Sequence, residues 1–498
     1  MGVIQRQGAK QSIISLIAAG IGGISTIFIY PLDFEIYGVI SFVQATAFLF
    51  TPFILLGAQN LTIRYFPHFR GEVSRHGFFT LLSLFAAIGI VLFLAMVYFF
   101  YPWYETFMHD KKDAIFIQAL PFFIPTAIFF SLGSFITQYT SNFHRIAVPG
   151  MINNLHKLFY PAIVLLYYLK YIDVYGAGLL VALNYFLTLA LLVIYLGRLG
   201  ELKFSVDFSF LDRPLFRDMR IYAFYGIFGS LSGLLMARID TFMIGNLIRD
   251  DSLNGISSNA NYLAFVIQIP AAALGAIAGP IVAQAMKADK MDEVDSIYKK
   301  SSINLFAIGL LAFLLIWTSI DDVFRIMPNS DQAALGKYVV LFVGISRLVD
   351  MLTSLNTQII SYSKYFRFNF YTIFLLAILN IVFNLIFIPK FQIVGAALST
   401  FLSITIYNLI KLIYIRIRFH MQPFTRELLK VALIGMVTFA LGYFFPDTGI
   451  PILNIILRCS IIGLTYAFLL LQWKVSDDLV SLFRQGLDWI RHPWKLFK

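Results

Sequence analysis

Residues 337–361, KYVVLFVGISRLVDMLTSLNTQIIS, are long and apolar enough to cross a bilayer, yet Arg347 and Asp350 stand near the middle. About 20 apolar residues span a hydrocarbon core ~30 Å thick. On a helix, residues three and four apart share a face. Arg347, Asp350, Ser354, Gln358 and Ser361 would then form one polar stripe, opposite Leu, Val, Ile and Met. A charge in hydrocarbon costs about 3 kcal/mol or more unless it meets a partner or a wet cavity. The stripe is expected either to line a polar cavity or to lock two helices through an Arg347–Asp350 ion pair.

Outward from this stretch the chain keeps the same character. Of its 498 residues, 59% are hydrophobic and 13% charged. Soluble domains carry about 25% charged residues. Apolar segments fall near 11–30, 38–57, 77–100, 116–139, 151–170, 176–198, 221–248, 257–285, 299–318, 337–361, 369–388, 394–415, 431–446 and 450–472. An all-α integral membrane protein of about fourteen transmembrane helices is predicted. The first segment is too long for the core of a signal peptide and ends in Tyr30-Pro31, so it is expected to be an uncleaved membrane helix.

Charge assigns the sides. With fourteen spans, the segments on one face carry 27 Lys and Arg; the opposite segments carry seven, against twelve Asp and Glu. The positive-inside rule places the basic side, and both termini, in the cytoplasm. The net charge of +11 is thus a topology signal, and no nucleic-acid partner is expected. The single cysteine, Cys459, excludes an intramolecular disulfide and a Cys-rich metal site.

The chain also repeats itself. Pro52…Gly57 matches Pro270…Gly275, Ser141…Arg145 matches Ser363…Arg367, and Gly176-Ala-Gly-Leu matches Gly395-Ala-Ala-Leu. The offsets are 218, 222 and 219 residues. Six spans per copy give two copies of the same orientation, with a site expected between them. The expected divisions are an N-lobe at 1–198, a linker at 199–220, a C-lobe at 221–415, an extra helix pair at 416–472 and a cytoplasmic tail at 473–498.

Tyr37-Gly38, Leu56-Gly57, Arg64-Tyr-Phe-Pro-His-Phe69, Arg238-Ile-Asp240 with Ile244-Gly245, and Pro270…Pro280 carry a resemblance. Together with the 6+6+2 layout, they make the chain similar to bacterial polysaccharide-biosynthesis flippases. These form the polysaccharide transport branch of the multidrug/oligosaccharidyl-lipid/polysaccharide exporter superfamily. The resemblance implies a MATE-like fold with two pseudo-symmetric six-helix lobes and two extra C-terminal helices. It implies alternating access in the bacterial inner membrane, moving undecaprenyl-diphosphate-linked oligosaccharide from the inner to the outer leaflet. A polysaccharide polymerase is an expected partner beside the lipid-linked oligosaccharide and membrane lipid. No cofactor is implied.

Such a substrate calls for cations toward the diphosphate and polar groups toward the sugars. The basic residues inside spans are Arg347, Lys157, Arg238 and Arg458. Arg347 lies about ten residues, ~15 Å, into its span. Lys157 shares a face with Asn153 and Asn154, suiting either the diphosphate or the inner headgroups. Arg238, ~25 Å along its span from Ile221, is expected near the outer rim. Arg458 belongs to the extra pair, where the resemblance suggests a lateral groove for the lipid tail. Asp350 and Asp240 are the intramembrane acids and candidates for ion pairing or coupling. Ser354, Gln358, Asn380 and Asn384 complete the candidate polar set; the two asparagines serve equally well as interhelical glue.

No GxxxxGK[ST] or HExxH occurs in the chain, so no phosphate-loop ATPase or zinc-protease site is expected. A non-enzyme is predicted. The competing expectations are a lipid II flippase, a cation-coupled drug exporter of the same superfamily, and a membrane polysaccharide polymerase or ligase. The last needs a sizeable outer loop, and none is present.

Overall fold

The computed structural model describes residues 3–69, 71–476 and 478–481, all of it helix and connecting turns. Among these residues there is no strand. The tail beyond 481 lies outside the described residues. The chain forms two compact units, Met1–Ser258 and Asn259–Lys498.

The first unit contains α1 (Val3–Phe28), α2 (Phe34–Leu49), α3 (Thr51–Leu55), α4 (Ala58–Tyr65), α5 (Glu72–His109), α6 (Ala114–Ala119) and α7 (Phe123–Ser141). It continues with α8 (Ala147–Asn153), α9 (His156–Tyr168), α10 (Val174–Arg198), α11 (Arg213–Leu247) and the start of α12 (Asp251–Phe265). The second unit adds α13 (Ile269–Lys287), α14 (Met291–Arg325), α15 (Ser330–Ala334), α16 (Lys337–Thr353) and α17 (Asn356–Ser361). It ends with α18 (Arg367–Phe419), α19 (Arg426–Tyr443) and α20 (Pro451–Gln472).

Among the described residues nine helical stretches are long and apolar enough to cross a membrane. The other apolar segments hold α8/α9, α12/α13, α16/α17, the second half of α18, and α19. Every one of the fourteen segments is therefore helical.

The breaks follow the repeat. α2 stops at Leu49 and α3 restarts with Pro52 in its first turn. α12 stops at Phe265, one 3₁₀ turn follows, and α13 restarts with Pro270 in its first turn. Proline lacks the N–H that a continuing helix needs, but is tolerated at a helix start. Two prolines 218 residues apart thus break corresponding spans at corresponding points. α18 breaks at Gln392, whose φ is 51°, just before the repeated Gly395.

In the first unit α2 is buried along almost its whole length and packs against α7 and α11. α11 stands in the second repeat copy by sequence, yet it packs on α2 and α4. Asn60 Nδ2 on α4 donates to Ser230 Oγ on α11 at 2.9 Å. The 199–220 segment runs without helix until Asp212 caps α11 by accepting from Leu215 N–H at 2.7 Å. On the way Ser205 N–H donates to Thr80 Oγ1 on α5 at 2.9 Å.

α2 and α12 cross tightly in this unit. A Cβ at Gly38 would lie 2.0 Å from Asp251 O, and one at Gly255 2.0 Å from Phe34 O. Gly38→Ala or Gly255→Ala must push the two helices apart, and the expected cost is about 1–3 kcal/mol of stability. Thermal unfolding in detergent checks this; an unchanged midpoint in both variants would show that the helices part freely.

In the second unit α14 packs on α16, α19 and α20, and α16 packs on α18. Tyr466 OH on α20 donates to Ala307 O on α14 at 2.8 Å, joining the extra pair to the rest of the unit.

Candidate functional site

The first unit encloses a cavity of about 290 Å³. Its walls come from α2, α4, α7, α10, α11 and the α8/α9 break. The α8/α9 break stands on its wall. Non-helical backbone at membrane depth is tolerated only against protein or water, and α8 ends at Asn153 while α9 begins at His156. Both residues line the cavity. His156 Nδ1 meets Asn153 O at 2.8 Å. A carbonyl only accepts, so Nδ1 carries a proton.

Polar side chains around the cavity are fixed by one another. Gln44 Nε2 donates to Tyr185 OH at 2.6 Å, and Tyr185 OH lies 3.0 Å from Tyr160 OH. Asn153 Nδ2 donates to Thr137 Oγ1 at 3.0 Å. Gln59, Gln138, Ser134 and Thr188 add amides and hydroxyls. Phe48 and Phe130 stack with ring centroids 3.6 Å apart.

One cation completes the lining. The Arg238 guanidinium sits 5.0 Å from the centre of the Phe48 ring, within the range of cation–π attraction. Among the described residues no Asp or Glu lines the cavity. The expected rim position of Arg238 is corrected here. α11 continues nine residues past it, to Leu247, which puts Arg238 ~14 Å below that end at ~1.5 Å per residue. Gln44 lies at a similar depth, ten residues into α2. The segment estimate failed because it counted from the far end of the helix.

The other candidates of this unit are placed differently. Asn154 Nδ2 donates back to Gly150 O at 2.7 Å, so its amide nitrogen is spent on the backbone. Lys157 is half-buried on α9 and Asp240 half-buried on α11; neither lines the cavity.

In the second unit the expected continuous stripe does not form. α16 ends at Thr353, Ser354 has φ 44° and ψ −102°, and α17 starts at Asn356. Arg347 and Asp350 stay on α16, while Gln358 and Ser361 belong to α17. Asp350 Oδ1 accepts from Asn408 Nδ2 at 2.6 Å, and Asn408 Oδ1 accepts from Thr353 Oγ1 at 3.0 Å. The carboxylate therefore bridges α16 to α18.

Beside it lies a cation inside the 394–415 segment that was not counted among the basic residues within spans. Lys411 is fully buried; its Nζ donates to Thr357 Oγ1 at 3.0 Å and to Tyr407 OH. Four residues separate Tyr407 from Lys411, with Asn408 between them, and that polar spacing near the end of an apolar run was the available signal.

Asn380 and Asn384 are spent on packing. Asn380 Nδ2 donates to Thr400 Oγ1 at 3.0 Å across the two halves of α18, and Asn384 Nδ2 to Asn380 Oδ1 at 2.8 Å.

Arg458 on α20 is engaged by Asp322 Oδ2 at 2.7 Å and Thr318 O at 3.1 Å. Asp322 is buried and also accepts from Asn454 Nδ2 at 3.1 Å. Asp447, in the loop before α20, accepts from Arg325 at 2.8 Å and from Asn454 at 2.6 Å. The Arg325 hydrogen bond, with those from Gly449 N–H and Asn454, holds the Asp447 carboxyl well below the usual carboxylate range. This network ties α14 to α20, and Arg458 acts within it.

Solved structures share this fold. The solved structure of lipid II flippase MurJ in an inward closed conformation superposes with a TM-score of 0.71. The alignment covers 94% of this chain and 99% of that one at 13% identity. An inward-facing multidrug resistance MATE family transporter of the MOP superfamily gives 0.59, over 82% and 94% at 13% identity. A polysaccharide biosynthesis protein family model matches residues 9–286, and a MatE model matches residues 227–386. The chain belongs to the polysaccharide biosynthesis protein family. It is also similar to the probable flippase AglR of Haloferax volcanii, 24% identical over 224 residues, 44% of this chain. The match spans about half, 46%, of that relative's length.

Proposed function

We propose that this protein is a flippase that moves an undecaprenyl-diphosphate-linked oligosaccharide from the inner to the outer leaflet of a bacterial inner membrane. The observation that carries this reading is the lining of the first-unit cavity. Amides, hydroxyls and stacked aromatic faces suit sugar rings, and one guanidinium suits an anion. Arginine presents a planar fork matched to phosphate oxygens. A drug exporter selective for cations would be served by carboxylates, and the lining has none. MurJ, a lipid II flippase by name, shares the fold, so lipid II stays the nearest alternative substrate. The direct test is reconstitution in liposomes with a fluorescent undecaprenyl-diphosphate oligosaccharide beside lipid II. Movement of neither lipid would overturn the reading; movement of lipid II alone would replace the substrate.

On this reading both termini are cytoplasmic. Cysteine labelling in a Cys459→Ser background is expected to find positions 110 and 331 outside and positions 212 and 290 inside. A swapped result at any one of them would break the assignment of sides.

Arg347 is proposed as a second anion contact. Arg347→Ala is expected to abolish export at normal protein levels, and Arg347→Lys to keep part of it, because the charge survives and the fork does not. Normal export by the double variant Arg347→Leu, Asp350→Leu would make these two residues structural only.

A further inference from the structure

Lys411 has no role in the site described so far, and its surroundings are unusual for an ammonium. It is fully buried. The acceptors of its hydrogen bonds are two neutral hydroxyls, Thr357 on α17 and Tyr407 one turn before it on α18. The neighbouring carboxylate, Asp350, is bonded to Asn408 instead. Buried charges are ordinarily paired, because desolvation is otherwise uncompensated. Two neutral hydroxyls compensate an ammonium less than a bonded carboxylate would.

The position of the cluster in the fold gives that shortfall a consequence. Thr357 lies three residues beyond Ser354, a non-glycine residue with φ 44° at the break between α16 and α17. Residues held in such conformations persist only where their surroundings over-determine them, and they gather at switch regions. Here the surroundings are two polar ties to α18. One is Asp350–Asn408–Thr353, which holds α16. The other is Lys411–Thr357, which holds α17.

We propose that Lys411 is a proton-exchange site, and that its protonation clamps α17 to α18 across the Ser354 break. When the site discharges, one N–H bond of the ammonium breaks and the proton passes to water. The electron pair stays on Nζ. The neutral amine can then accept a hydrogen bond from Tyr407 O–H, and Thr357 is left with at most a neutral bond, about half as strong as a charge-assisted one. The titratable and charged groups at Lys411 are Asp350 on α16 and Tyr407 on its own helix, and Arg347 on α16 acts in turn on Asp350. α17, NTQIIS, contributes none. A site that loads and unloads a proton while releasing a broken helix can couple transport to a proton gradient. That role rests on the flippase reading; the titration itself does not.

The test uses the full chain in lipid nanodiscs, in a Cys459→Ser background. Spin labels are placed at exposed positions, Tyr362→Cys just beyond α17 and Leu409→Cys on α18. Double electron–electron resonance is recorded from about pH 5 to about pH 10, a range that brackets neutrality. Two distance populations are expected to exchange with a single-proton midpoint. Lys411→Met is expected to hold the high-pH population at every pH, and Lys411→Arg, which stays charged, the low-pH population. Thr357→Val, which keeps the lysine, is expected to weaken the low-pH population. A distribution independent of pH in the parent protein, or a titration that survives in both Lys411 variants, would overturn the proposal. If the titration behaves as expected while no lipid-linked oligosaccharide moves in liposomes, the flippase reading fails and the switch stands.

Discussion

Under the proposed function, Arg238→Ala is expected to slow outward movement of an undecaprenyl-diphosphate-linked oligosaccharide by about tenfold to a hundredfold, with the protein still folded in the membrane. A hydrogen bond to a charged group is worth about 1.5–3 kcal/mol, and each 1.4 kcal/mol is a factor of ten. The guanidinium is the cavity's one cation, so no neighbour in the lining replaces it. The packing loss is small by comparison, because Arg238 is half-buried and its head rests on one ring face. Arg238→Lys is expected to fall between, keeping charge but losing the fork and most of the stacking. The measurement is the initial flipping rate in liposomes at matched protein density. A rate within twofold of the parent for Arg238→Ala would remove this residue from the substrate path.

The architecture could be read from the chain because membrane insertion imposes coarse constraints. Length and apolarity are averages over twenty residues, and they survive local irregularity. The repeat was legible because proline and glycine mark fixed backbone events. Pro52 and Pro270 do begin the second halves of two broken helices, and Gly395 does follow the break in α18. What those averages conceal is the break itself. The 337–361 segment has one hydropathy and one apparent polar stripe, but Ser354 interrupts the helix and separates Asp350 from Gln358. The same blindness hid the α8/α9 break at Asn154.

The site was legible only where a charge stood against an apolar background. Arg347, Asp350 and Arg238 stood out in this way. Gln44, Phe48 and His156 did not, because one amide or one more Phe in a chain of 52 carries no contrast. Lys411 and Arg238 show a second limit, the ends of the segments. Lys411, near the end of 394–415, was left out of the basic residues inside spans, and Arg238 was measured from the far end of 221–248 although α11 ends only nine residues beyond it. Partnership is the third limit. Arg458 looked available until Asp322, counted among the outer-loop acids, proved to be buried against it.

The largest stability effect is expected at another residue counted as an exposed loop charge. Lys112 lies between α5 and α6, yet its side chain is buried, as is that of Asp251 opposite. The two form an ion pair, and Lys112 Nζ also donates to Ile248 O at 2.6 Å. The pair pins the α5–α6 connection to the turn between α11 and α12, where α12 makes its tight crossing with α2. Lys112→Met removes the ammonium and leaves the Asp251 carboxylate buried with no counter-charge. Breaking a buried pair from one side costs about 3–5 kcal/mol, whereas replacing both partners by apolar groups is often neutral or stabilising. Lys112→Met is therefore expected to lose about 3–5 kcal/mol, and Lys112→Met with Asp251→Leu to recover most of it. Reversible unfolding in mixed micelles, run as a double-mutant cycle, measures both. Losses that simply add, with no recovery in the double variant, would mean that the two side chains are not coupled and that the crossing of α2 and α12 holds this end of the unit by packing alone.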